Sequence, residues 1–84
     1  MIEDILNERQ KTHGSFSVHA LATQEMKEAM RGYANWEVLN PSQRESLEMI
    51  AHKIGRILAG DPNHKDHWAD IAGYATLCAN QLTD

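Results

Sequence analysis

The stretch Asn40-Pro41-Ser42-Gln43-Arg44-Glu45-Ser46-Leu47-Glu48-Met49-Ile50-Ala51-His52-Lys53-Ile54-Gly55-Arg56-Ile57-Leu58-Ala59-Gly60 reads as one helix from start to stop. Asn40 is a favoured N-cap, Pro41 occupies the first helical position, where its missing N–H is no loss, and Gln43 stands three residues after the cap, in reach of the Asn40 backbone. Gly60 closes the run as a residue suited to the left-handed C-terminal position. At about 100° per residue, Leu47, Ile50, Ala51, Ile54, Ile57 and Leu58 gather on one side, and Glu45, Glu48, His52 and Arg56 on the other. The first side predicts a core face. The second reads either as an ordinary solvated face or as a ligand site.

Working outward, Asp61-Pro62-Asn63 makes a turn, and a further helix begins between Asn63 and Asp66 and runs through Trp68, Ile71, Ala75, Cys78 and Leu82 to the end. Upstream, a linker with Trp36, Val38 and Leu39 follows a helix that starts near Ser15 or Ser17. That helix carries Val18, Leu21, Ala22, Met26, Ala29, Met30 and Tyr33 until Gly32 and Asn35 weaken it. A first helix spans roughly Ile2 to Lys11 and stops at Thr12-His13-Gly14-Ser15. Ten Ala and seven Leu against two Val and one Phe favour helices over strands. The expected fold is an all-α bundle of about four helices, a single domain over residues 1–84.

The 84 residues carry 8 Lys+Arg against 12 Asp+Glu, a net charge of −4 with histidine neutral. The eight cations are dispersed, so the chain lacks the basic cluster that neutralises nucleic-acid phosphates. No run approaches the ~18 apolar residues of a membrane span, and the acidic Met1-Ile2-Glu3-Asp4 start lacks a signal peptide's basic flank. A cytoplasmic location is the expectation, without membrane or nucleic-acid partners. Cys78 has no second cysteine to pair with in the chain and, at core spacing, reads as a small packed residue rather than a nucleophile. So small a chain without a staple buries little apolar surface, and homodimerisation is expected to complete it.

Some polar residues stand where a bland helix would not place them. Glu25 falls between Leu21, Ala22 and Met26 on an apolar stripe, and a carboxylate there needs a cation, a donor or a metal. On the last helix, Trp68, Ile71, Ala75, Ala79 and Leu82 form the expected core face, while Asp66, Asp70, Gly73, Tyr74 and Leu77 share the other. Two carboxylates one turn apart repel unless a cation sits between them. Asp66 alone could simply complement the helix dipole. The order His64-Lys65-Asp66-His67 does not give the adjacent His-Asp pair of phosphohydrolase metal sites. The five glycines stand singly and form no phosphate loop.

The runs Lys53-Ile54-Gly55-Arg56 and Asp66-His67-Trp68-Ala69-Asp70-Ile71-Ala72-Gly73-Tyr74-Ala75 resemble a family of small phage and prophage domains. Glu8-Arg9 and His13-Gly14-Ser15-Phe16 resemble that family's turn before the second helix, with His13 in place of the usual tyrosine and Ser15 in place of aspartate. The family is similar to the MazG-type all-α nucleoside triphosphate pyrophosphohydrolases. The resemblance implies a Mg2+ site of Glu45, Glu48, Asp66 and Asp70, with Glu48 as the catalytic carboxylate, and Lys53 and Arg56 holding substrate phosphates. A third glutamate usual in the motif is missing, and Glu25 is the candidate to supply it. Mg2+ takes near-octahedral oxygen ligation from facing helices, phosphates and water. Since Glu45, Glu48 and Arg56 lie opposite the expected core stripe, such a site needs a second copy to cover it. The implied function is nucleotide pyrophosphohydrolysis. The alternative is a non-enzymatic phage protein that binds or inhibits a host protein.

Overall fold

The computed structural model describes residues 1–83. It is an all-α bundle of four helices, α1 (Ile2–His13), α2 (Phe16–Arg31), α3 (Pro41–Ala59) and α4 (Lys65–Gln81), with one 3-10 segment over Ala34–Val38 and no strand among the described residues. The α3 start forms as its sequence dictates. Gln43 N–H donates to Asn40 Oδ1 (2.8 Å) and Asn40 N–H donates to Gln43 Oε1 (2.9 Å), closing the capping box. The linker winds into the 3-10 segment, where Trp36 is buried and Arg44 from α3 fastens it. The Arg44 guanidinium lies 5.7 Å from the indole centre and donates to the Trp36 and Glu37 carbonyls.

α3 is the central element, packed between α2 and α4, with α1 crossing its C-terminal end. The faces differ from the expected ones by a rotation. The side of α3 with Glu48, His52 and Arg56 is covered by α2 of the same chain, so no second copy is needed there. Gly55 makes this possible. It lies at the edge of that polar side, between Glu48 and Ala51, and a Cβ on it would come within 2.7 Å of His19 Nδ1 and Thr23 Oγ1. His19 and Thr23 are accordingly the buried residues of α2, whereas Val18, Leu21 and Glu25 are exposed. Glu25 therefore faces outward and not toward the core.

α4 is rotated as well. His67 is buried, and Asp70, Ile71, Tyr74 and Cys78 follow it on the half-buried side toward α3, while Trp68, Ala75, Ala79 and Leu82 are exposed. The cause is a pair of hydrogen bonds. His67 Nε2–H donates to the Thr12 carbonyl (3.1 Å), and Trp68 Nε1–H donates to the Pro62 carbonyl (2.8 Å), which turns the indole away from the core. Of the expected core stripe on α3, Ala51 is buried, Ile50, Ile54 and Ile57 are half-buried, and Leu58 is exposed. No helix is long and apolar enough to cross a membrane among the described residues.

Candidate functional site

Gly14 breaks the chain between α1 and α2 with φ 78°, ψ −174°, a conformation that needs glycine. It brings the end of α1 against the end of α3, and the Thr12 carbonyl accepts the Asp61 N–H (3.0 Å) across the junction. The turn opens a cavity of about 650 Å3, a size ordinary for small-molecule sites. Arg9 and His13 reach it from α1, Ser15, Ser17 and His19 from the start of α2, and Arg56 from α3. Leu6 and Phe16 supply apolar wall, with Phe16 itself 80% exposed.

No carboxylate lines this cavity among the described residues. Arg56 makes no ion pair among the described residues, and its Nε is buried without a hydrogen-bond partner. Burial, and then the charge of Arg9, pull its pKa below the ordinary guanidinium value. The histidines report the same field. His13 is held below its ordinary pKa by burial, then by Arg56, His67 and Arg9, and His19 by burial, then by Arg56 and His52. A charge left in this state asks for an anion. The α2 N-terminus points the same way, since no acidic residue occupies its first turn and Ser15 gives no side-chain cap.

Behind the cavity, His13, His64 and His67 cluster, with ring centres 4.6–6.2 Å apart. His52 lies on the α2–α3 seam with its ring centre 5.6 Å from that of His19, and burial followed by Lys27 and Arg56 lowers its pKa. Because His13, His19 and His52 all bind protons less readily folded than unfolded, stability is full above the unfolded value of about 6.5 and is lost as pH falls below it. Thermal melts between pH 8 and 5 are expected to show a flat Tm above pH 7 and a decline beneath about pH 6.5. A Tm that rises on acidification would contradict the field described here.

The expected carboxylate site is not brought together within the chain. Glu48 is taken by Lys27 (3.7 Å) and Arg31 (4.0 Å), and Asp70 by Lys53 (3.0 Å). Glu45 and Asp66 are exposed, Asp66 beside His64 at 3.9 Å. No group of three or more His, Cys, Asp or Glu able to hold a metal ion occurs among the described residues. These donors do not fit Mg2+, which needs oxygens converging from several groups. Lys53 is spent on Asp70, and of the expected site residues Arg56 alone reaches the cavity. Arg9, His13, His19 and Ser17 carry no metal or acid–base pattern in sequence. Only the resemblance of Glu8-Arg9 and His13-Gly14-Ser15-Phe16 to a family turn marked their neighbourhood.

Compared with known proteins, the chain matches no curated protein and no solved structure. A family model described as a domain of unknown function, DUF6378, matches residues 2–82.

Proposed function

From the premise that the chain belongs to the DUF6378 family, we propose that it is a small helical domain that binds a phosphate-bearing anion of the nucleotide class in the cavity between α1, α2 and α3. The observation that carries this reading is the half-buried Arg56 guanidinium, its Nε buried without a partner, in a cavity that no carboxylate lines among the described residues. Arg56 and Arg9 supply the fixed positive charge, with Arg56 presenting planar donors suited to a phosphate. The free N–H groups at the start of α2, with the Ser15 and Ser17 hydroxyls, add donors, and the exposed Phe16 ring offers a face on which a base can stack. This is the recognition half of the MazG-like expectation. The hydrolytic half requires carboxylates that Lys27, Arg31 and Lys53 engage in one chain, so it enters as an arm of the test.

The test is a thermal-shift and calorimetric series with inorganic phosphate, pyrophosphate and the common nucleoside triphosphates, each with and without Mg2+. A ligand at ten times its Kd stabilises the native state by about 1.4 kcal/mol, roughly 5–10 °C in Tm for a domain of this size. The expected result is a shift with pyrophosphate or a triphosphate that does not require the metal. No shift with any of them sinks the proposal. Release of pyrophosphate from a triphosphate would extend the function to hydrolysis. The second reading, a non-enzymatic protein that binds a host protein, is favoured by the exposed Leu21 and Leu58 side chains.

A further inference from the structure

α4 packs on α3 through His67, Asp70, Ile71, Tyr74 and Cys78, and its outer side carries Trp68, Ala69, Ala72, Gly73, Thr76 and Leu77. A helix facing water ordinarily shows charged residues on its outer side. Here the sequence from Ile71 to Thr83 contains none. The polar end of Trp68 is already used on the Pro62 carbonyl, so its exposed ring has no reason to seek water. Among the described residues, nothing beyond α4's own backbone and Gly73's neighbours lies within 4 Å of where a Gly73 Cβ would stand, and beside it Ala69, Asp70, Tyr74 and Leu77 line a shallow groove of about 300 Å3.

The size of the uncovered surface says what occupies it. The chain exposes 6094 Å2, whereas a compact chain of its mass exposes roughly 5,000 Å2. Its radius of gyration is 14.5 Å against about 12 Å for a compact domain of this length. Trp36 and Ala51 are its only buried apolar side chains among the described residues. The excess of about 1,000 Å2 is shared between the exposed α1 and the outer side of α4, and it leaves room for the ~800 Å2 that each partner hides in a standard interface. From Ile71 onward the face carries no charge and is complementary to itself, because a two-fold axis there sets the same apolar patch against its copy, and Asp70 at the groove's edge is already paired with Lys53. The net charge of −4 then stays on the outer surfaces of the pair. A membrane surface would instead favour Lys and Arg flanking the apolar face, and α4 has only Lys65, at its start.

We propose that the outer face of α4 is the docking surface for a second copy of this chain, with the two α4 helices antiparallel and in close approach at Ala72, Gly73 and Thr76. This assignment is independent of the anion site. It differs from the sequence expectation, in which a second copy covered Glu45, Glu48 and Arg56.

Two measurements on the full chain test it. Sedimentation at tens of micromolar is expected to give twice the 9.5 kDa chain mass, and Ala72→Glu and Leu77→Glu, both at exposed positions, to weaken the dimer at least a hundredfold. Oxidation of an equimolar mixture of Ala72→Cys and Thr76→Cys chains, positions that the two-fold sets against each other, is expected to produce a disulfide-linked dimer, while the native chain, whose Cys78 lies on the half-buried side, does not cross-link. The second measurement introduces no charge and holds even where the glutamate variants fail to fold. A monomer at these concentrations overturns the proposal, whether the true occupant is a lipid surface or another protein. A dimer that survives both glutamates, or a mixture of Ala72→Cys and Thr76→Cys chains that stays uncross-linked, overturns it too.

Discussion

Arg56→Gln is expected to abolish measurable phosphate-dependent stabilisation. The guanidinium is half-buried, its Nε has no protein partner, and Arg9 repels it. Hydrogen bonds to charged groups contribute about 2–3 kcal/mol, so affinity should fall roughly thirtyfold to a hundredfold. The stability of the ligand-free chain should move the other way or stay put. Removing an unbalanced, half-buried cation relieves desolvation and repulsion, whereas removing a structural ion-pair partner would lower Tm. Calorimetry with pyrophosphate and a ligand-free melt therefore separate the two roles. Lys11→Gln is the control, because Lys11 is exposed, pairs with Glu8 and stands outside the cavity. An Arg56→Gln chain that melts lower and binds pyrophosphate as before would make Arg56 a packing residue and remove the basis of the anion site.

The second large effect belongs to Gly14. Its φ of 78° with ψ near 180° lies in a region essentially confined to glycine. The space is closed too, because a Cβ would fall onto the Ala59 carbonyl, while one on Gly60 would sit 2.5 Å from the Thr12 oxygen. Backbone meets backbone here, and neither side can yield by changing a rotamer. Gly14→Ala combines strain of about 1–3 kcal/mol with this overlap, and a loss on the order of 3 kcal/mol is a large part of a small domain's stability. It should also separate α1 from α3 and so dismantle the cavity. Gly32→Ala provides the contrast, since Gly32 already has helical angles and the nearest atom to its Cβ is 3.4 Å away. Urea denaturation should show that variant unchanged or slightly stabilised. Equal midpoints for the two variants would contradict the glycine-on-glycine crossing.

These two residues also show what the sequence could reveal. Helix positions follow from local chemistry, and Asn40, Pro41 and Gln43 place the start of α3 correctly. Gly14 ends α1 at His13, two residues beyond the expected Lys11. Which face turns inward is a tertiary matter, and there periodicity was off by a rotation, with Ala51, Ile54 and Ile71 inward as expected. Leu21 and Trp68 belong to apolar stripes yet stand exposed, because α2 docks on the small Gly55 and α4 is held by the bond from His67 to the Thr12 carbonyl. Gly55 at the border between the polar and apolar stripes was the available signal that another helix comes close. For the site, Arg56 was legible from a motif, whereas Arg9, His13 and His19 meet it only through the crossing of α1 over α3, which no spacing along the chain encodes.

The Thr12 carbonyl carries a kinetic implication. It accepts both the Asp61 N–H and the His67 Nε2–H, and these are the bonds that join α1 to the α3–α4 end of the described chain. The ten residues from Met1 to Gln10 are all exposed. With so little else holding it, α1 forms a separate opening unit whose amide protons exchange before those of α2 and α3. An anion gripped by Arg9 on one side and Arg56 on the other would slow that exchange in α1 first, turning the most weakly held helix into the part of the molecule that senses occupancy.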